Sequence, residues 1–230
     1  MNTRISVMNI GRLRQIGLEF LHEKMLEDKF DDDSTSGFWI ERANERELSG
    51  RFIEKHATEE IIVDPFGREL RFNRVFFAEQ HFELRLTSPN LVLRDPSPVM
   101  KRLIGRLSEY SNFRIVVMPI ECSAMQLLEV LVQRLENVET YAMSFAAFSV
   151  TPDITVRMSF KGTADVRAEA RKFLGARRGE PEALKLQFTF ADVIRRCELR
   201  ENGAVQIYGE YEPELVSIFL RAIRECGKTN

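Results

Sequence analysis

The stretch Ile154-Thr155-Val156-Arg157-Met158-Ser159-Phe160-Lys161 alternates apolar and polar side chains at every position. Side chains along a β-strand point to opposite faces with a period of two residues, so this alternation predicts a strand with one buried and one exposed face. The same alternation recurs in segments 184–190, 196–200 and 205–208. Together, these four strands predict a sheet that is apolar on one face and polar on the other.

Helical periodicity separates the predicted strands. Ser123 and Gln126 have the spacing of a capping box, and Pro213 is favoured at the first position of a last helix. Helices covering one face of a mostly antiparallel sheet define an α+β fold. The apolar residues at helical spacing that we expect to be buried against the strands are Leu127, Leu131, Leu135, Phe173, Phe219 and Ile223.

Turn chemistry and apolar runs mark further elements. Asp64-Pro65-Phe66-Gly67 has Pro and Gly where a type I turn prefers them, and this predicts a hairpin. Asn202-Gly203 predicts a second hairpin with a short loop. The nearly continuous apolar run at 113–118 is typical of a central strand covered on both faces.

The chain divides into three predicted parts. Residues 1–36 should form an N-terminal helix, from Ile10 to about Lys29, and an acidic linker, although the short stretch 4–9 is compatible with a strand. Residues 37–95 should form a small β-rich part. Residues 96–230 should form an α+β part with a recurring strand–helix–strand rhythm, without the residue identity that would demonstrate a duplication.

Composition limits the class of protein. The 230 residues are 44% hydrophobic and 30% charged, with a formal net charge of −2, which predicts a globular protein without a global field towards nucleic acid or anionic lipid. Cys122, Cys197 and Cys226 have neither disulfide-framework nor zinc spacing, as expected in a reducing compartment. With no signal-peptide pattern and no run of about 20 apolar residues, we expect a cytoplasmic protein without a membrane anchor.

Catalytic motifs are missing from the sequence. It has no glycine-rich phosphate loop, no GxSxG and no HExxH, and only three histidines, so we expect a non-catalytic protein without cofactor or metal. One enzyme alternative remains open. Metal-dependent nucleases hold a divalent ion between carboxylates near a cation, and Asp64, Glu83 and Arg85 have roughly that order, with Arg where such sites commonly have Lys.

The polar side of the C-terminal strands, formed by every second residue, is the best functional clue. It carries five cations against one anion, Glu198, and such faces bind single strands by steering phosphates and stacking bases. The sequence therefore predicts a binding subunit for nucleic acid or an acidic protein, as a homo-oligomer or as part of a complex. A purely structural interaction subunit is the other alternative. The residues predicted to bind nucleic acid are Arg157, Lys161, Lys185, Arg196, Arg200, Gln206 and Tyr208, with Arg177 and Arg178 from a basic helix end.

Overall fold

The computed structural model describes residues 2–151, 154–175 and 179–227. Within these ranges the chain has an α+β fold with six helices and a large antiparallel sheet of eleven strands. The strands are β1 (Asn2–Gly11), β2 (Ser36–Ala43), β3 (Glu47–Val63), β4 (Glu69–Arg85), β5 (Leu91–Arg94), β6 (Val116–Pro119), β7 (Glu136–Thr151), β8 (Ile154–Lys161), β9 (Ala183–Phe190), β10 (Val193–Arg200) and β11 (Val205–Tyr208). The helices are α1 (Leu13–Ile16), α2 (Leu18–Glu27), α3 (Met100–Tyr110), α4 (Ala124–Val132), α5 (Arg167–Leu174) and α6 (Pro213–Cys226).

The chain forms two compact units. Unit 1 contains residues 2–9 and the chain from Met118 onward, and unit 2 contains residues 10–117. In unit 1 the strands lie in the order β1-β11-β10-β9-β7-β8, and in unit 2 in the order β2-β3-β4-β5.

The alternating apolar residues of β9, β10 and β11 lie in the unit 1 core, as the sequence predicts. On β8, the last strand of the order, the predicted buried face is wrong: Ile154 is 52% exposed, and Val156, Met158 and Phe160 are only partly buried. Leu186, Phe188 and Leu199 are buried, α4 contacts β7, β9 and β10, and the ring of Phe188 packs edge-on against Phe219 of α6. Ser123 and Gln126 form the predicted capping box at the start of α4. Of the helical residues expected in the core, those that are buried are Leu127, Leu131, Leu135, Phe219 and Ile223.

Phe173 is the exception, and its predicted burial is wrong. Helix α5 has only eight residues, and it turns Ala170 towards the core while Phe173 stays 71% exposed. The Phe173 ring packs edge-on against Phe160 on β8, the last strand of the unit 1 order. A helix at the margin of a sheet has fewer side chains to pack against, so its apolar periodicity does not ensure burial.

Unit 2 is an antiparallel meander packed on α2 and α3. Strands β3 and β4 pair along their full lengths, from Glu47 opposite Arg85 to Val63 opposite Glu69. The core forms where Phe38 meets Phe52 and Phe82, at ring-centroid distances of 4.9 and 5.9 Å. The predicted turn at Asp64–Gly67 joins these strands, with Gly67 donating its backbone N–H to the Asp64 carbonyl.

The chain begins with a strand, which corrects the predicted N-terminal helix. Thr3, Ile5 and Val7 are buried, whereas Asn2 before them and Arg4 between Thr3 and Ile5 are exposed. This period of two residues belongs to a strand, and β11 provides its partner through pairs such as Thr3 with Ile207. The expected helical pattern begins only at Leu13 and breaks at Gly17, whose φ of 85° is outside the helical region.

The apolar run at 113–118 also differs from the prediction. Phe113 has a φ of 58° in a turn after α3 and is 76% exposed, and Val116 and Met118 on the short strand β6 are exposed as well. Because the first residues of the run form a turn, they belong to no strand. The continuous apolar sequence therefore did not indicate a central strand of the sheet here. None of the helices in the described ranges combines the length and apolarity needed to cross a bilayer.

Candidate functional site

Cross-strand pairing places the predicted residues of β9, β10 and β11 on one face of unit 1. Arg196 lies between Gln187 and Tyr208, and Glu198 lies between Lys185 and Gln206. Residues directly opposite each other in an antiparallel pair point to the same face. The surface that we call the polar face contains Lys185, Gln187, Arg196, Glu198, Arg200, Gln206 and Tyr208.

The same register extends this face to both sides. On β1, Arg4 lies opposite Gln206, and on β7, Ala142 lies opposite both Lys185 and Lys161. One row of side chains therefore crosses six strands: Arg4, Gln206, Glu198, Lys185, Ala142 and Lys161. Three of its members are cations and one is an anion.

Glu198 is the electrostatic centre of the polar face. Its buried carboxylate lies 2.6 Å from the Arg200 guanidinium and 3.5 Å from the Lys185 ammonium, and it accepts a 3.2 Å hydrogen bond from the Tyr208 hydroxyl. Burial opposes ionisation, but Arg200, Lys185 and the Tyr208 hydrogen bond outweigh it and hold the pKa of Glu198 below its usual value. Burial and the nearby Glu198 charge raise the pKa of Tyr208 to about 12, so Tyr208 remains neutral.

Arg196 is held flat on the face by a polar and an aromatic partner. Its guanidinium donates two hydrogen bonds of 3.1 and 3.0 Å to the side-chain amide oxygen (Oε1) of Gln187, and it stacks 5.5 Å from the ring centre of Tyr141 on β7. Arginine over an aromatic ring forms a platform on which a nucleic-acid base can stack.

Sequence reasoning missed Tyr141 and Arg4. The register of β7 shifts between Thr140 and Ala142, so β7 does not show a clean alternation that would assign Tyr141 to a face. Arg4 was missed because the possible strand at 4–9 was not linked to the C-terminal strands; the alternation of Thr3, Ile5 and Val7 was the available signal.

Arg157 and Lys161 share one parity of β8 at the side of the unit 1 sheet. Both are exposed, and neither side chain makes an ion pair or hydrogen bond with another residue in the described part of the chain. Arg157 lies four residues from Lys161, about 13 Å along the strand. The structure thus places Arg157 at the periphery of the polar face and the β9–β11 residues at its centre.

The predicted basic helix end contributes little that can be described. Arg177 and Arg178 lie outside the described residues. Upstream, the Arg167 guanidinium donates hydrogen bonds to the Asp165 carboxylate from two nitrogens, and Lys172 forms an ion pair with Glu169 at 2.6 Å.

The two carboxylates of the nuclease alternative are not brought together. Asp64 accepts backbone hydrogen bonds of 2.8 Å from Phe66 and Arg68 and therefore closes its own turn. Glu83 pairs with Arg85 near the opposite end of β4, 14 residues beyond Glu69 or about 48 Å along the strand. Across the described ranges, no group of three or more His, Cys, Asp or Glu side chains is arranged to hold a metal ion.

Comparison of the sequence with protein-family models and with curated proteins finds no match.

Proposed function

We propose that this protein is a non-catalytic binding subunit and that the polar face of unit 1 binds single-stranded nucleic acid. The observation that carries the proposal is the row of Arg4, Lys185 and Lys161 beside the Arg196–Tyr141 platform on one exposed face. Cations in a row follow a phosphate backbone, and exposed aromatic and guanidinium planes accept bases without sequence preference.

The charge on this face differs in sign from that of the whole chain. With Arg157 and Lys161 included, the extended face carries six cations, the others being Arg4, Lys185, Arg196 and Arg200. Its three carboxylates are Glu136, Glu139 and Glu198, which leaves 6 − 3 = +3, against −2 for the chain. A local excess of this kind can attract a polyanion to one surface while the remainder of the protein does not.

The double variant Arg157→Glu, Lys161→Glu tests this proposal with little risk to the fold, because both side chains are exposed on β8. We expect its affinity for a labelled single strand of about 16 nucleotides to fall at least about tenfold. Since lost phosphate contacts release fewer counterions, the slope of log affinity against log salt should decrease by about one to two units. Fluorescence anisotropy at several salt concentrations measures both quantities.

Arg171→Glu combined with Lys172→Glu on helix α5 is the matched control, because it reverses two exposed cations that are not on the polar face. It should leave affinity and salt slope close to those of the wild type. Equal binding by the β8 double variant and the control would contradict the proposal, as would a wild-type protein that does not bind single strands even at low salt.

A further inference from the structure

A ribbon of two strands extends beyond the core of unit 2. We call residues 55–77 the arm: the distal half of β3, the turn at 64–68, and the paired half of β4. Pairing of β2 with β3 ends at Glu54, and pairing of β5 with β4 begins at His81, so no described strand pairs with the outer edges of the arm. Every arm residue except His56 and Asp64 is exposed.

The arm is unusually rich in exposed apolar side chains. Phe66 at the tip is 87% exposed, and large apolar side chains lie on both faces of the ribbon. An isolated two-stranded ribbon is marginally stable, and a contiguous apolar surface of this kind marks an interaction site. The large apolar residues of the arm that are at least 43% exposed are Ile61, Ile62, Val63, Phe66, Leu70, Phe72, Val75, Phe76 and Phe77.

The two faces of the arm differ in whether their charged side chains form ion pairs within the arm. On one face, Arg71 pairs with Glu59 at 3.7 Å and with Glu69 at 3.4 Å, and Phe77 meets the ring of Phe30. The opposite face, which we call the arm face, consists of His56, Thr58, Glu60, Ile62, Leu70, Phe72, Arg74 and Phe76.

The arm face carries one anion and one cation among apolar side chains. Neither Glu60 nor Arg74 forms an ion pair with another residue in the described ranges, and the His56 and Phe76 rings stack at 4.9 Å. Glu60 lies opposite Phe72, and Arg74 lies opposite Thr58 in the next row, so the two charges stand on a diagonal of the ribbon.

The charge balance indicates which partner fits. The arm has a net charge of 4 − 4 = 0, from the cations Lys55, Arg68, Arg71 and Arg74 and the anions Glu59, Glu60, Asp64 and Glu69. A neutral surface does not favour a polyanion or a strongly charged protein as its partner. A second copy of the same face is complementary to it. A two-fold axis in the contact plane, midway between Glu60 and Arg74, places Glu60 of each copy opposite Arg74 of the other. The same arrangement buries the apolar residues of both faces against each other.

We propose that the arm face docks on the arm face of a second copy of this chain and forms a two-fold symmetric dimer. The face extends from His56 to Ile62, about 20 Å along β3. Such a narrow ribbon buries less than the roughly 1,200 Å² of total surface typical of stable complexes, so the dimer is weak and reversible. The proposed dimer does not depend on nucleic-acid binding by the polar face.

Charge reversal tests the proposed symmetry directly. In analytical ultracentrifugation from about 1 to 200 µM, a range that covers weak association, the wild type should dimerise. Glu60→Arg alone and Arg74→Glu alone should each weaken dimerisation at least tenfold, because each places like charges opposite one another across the axis. An equimolar mixture of the two variants should recover dimers, since the heterodimer restores both opposite-charge contacts.

Glu59→Arg, on the other face of the arm, is the matched control and should dimerise like the wild type. Circular dichroism should show that all three variants are folded. A wild type that stays monomeric at the highest concentration overturns the proposal and leaves the arm to a different protein or to no partner. Wild-type-like dimers of each single charge variant, or no recovery on mixing, overturn it as well.

Discussion

The sheet of unit 1 and the arm of unit 2 are both antiparallel, but they distribute their apolar side chains differently. In unit 1 the apolar parity lies under α4 and α6, and the polar parity faces outward. In the arm, Ile62 and Phe72 on one face and Ile61 and Phe77 on the other are all exposed. Alternation therefore identifies a buried face only where helices pack on that face of the sheet. In the arm, apolar residues lie on both faces and remain exposed.

Truncation of one phenylalanine in each region should show the largest contrast. Phe219→Ala in α6 should lower the free energy of unfolding by about 3–5 kcal/mol, because it leaves a cavity in the unit 1 core. Phe72→Ala in the arm should change it by no more than about 0.5 kcal/mol, because that side chain is already half exposed. Urea denaturation measures both values, and similar losses would show that the arm belongs to a core.

An intermediate effect is expected at the centre of the polar face. Glu198→Gln should cost about 1 kcal/mol at neutral pH, through weaker hydrogen bonds with Arg200 and Tyr208. The folded-state pKa of Glu198 is lowered, so its stabilisation is present above the unfolded-state pKa and is lost as the pH falls through the folded-state pKa.

Thermal unfolding of both proteins as a function of pH checks this prediction. The difference in melting temperature between wild type and Glu198→Gln should be constant near neutral pH and should shrink below the ordinary carboxyl range. A difference that does not depend on pH would mean that the substitution acts through packing and not through charge. The same variant should bind single strands more tightly than the wild type, because the polar face loses an anion.

Removing the whole arm should also have only a small effect on stability. Replacing residues 57–75 by Asn-Gly joins His56 to Phe76, which are directly paired, through a loop suited to a two-residue hairpin. The shortened protein should unfold within about 1 kcal/mol of the wild type, because the exposed arm does little to cover the core. Calorimetry measures this, and the shortened protein should also remain monomeric at concentrations where the wild type dimerises.

The unit 1 core could be predicted because its signals are local. Alternation in segments 184–190 and 196–200, and the Ser123–Gln126 capping box, each depend on a few neighbouring residues. The same alternation at 154–161 marks a strand, but it did not predict that the strand would remain at least partly exposed on both faces. The strand assignment of β1 depends on a distant partner: Thr3 pairs with Ile207, 204 residues further along the chain. A short apolar segment in front of a helical pattern does not reveal that pairing.

The candidate site was predictable where register follows from hairpins. The β9–β10 and β10–β11 pairs place Lys185, Arg196 and Tyr208 on one face, as the shared parity suggested. Tyr141 could not be assigned because a register shift in β7 changes which side chains face outward. The arm could not be anticipated either: the sequence indicates its turn at Asp64–Gly67, but exposed apolar residues on both parities resemble a strand buried on both sides.

The discontinuity of unit 1 has a consequence for biosynthesis. Residues 10–117 form a continuous unit that can fold as soon as they leave the ribosome, whereas β1 is made first and its partner β11 more than 200 residues later. At about 5–20 residues per second, the residues of β1 that pair with β11, such as Thr3 and Ile5, wait roughly 10–40 s for that partner. We therefore expect nascent chains arrested before Val205 to have a protease-resistant unit 2, whereas residues 2–5, which pair with β11, should gain their full protection only when β11 emerges.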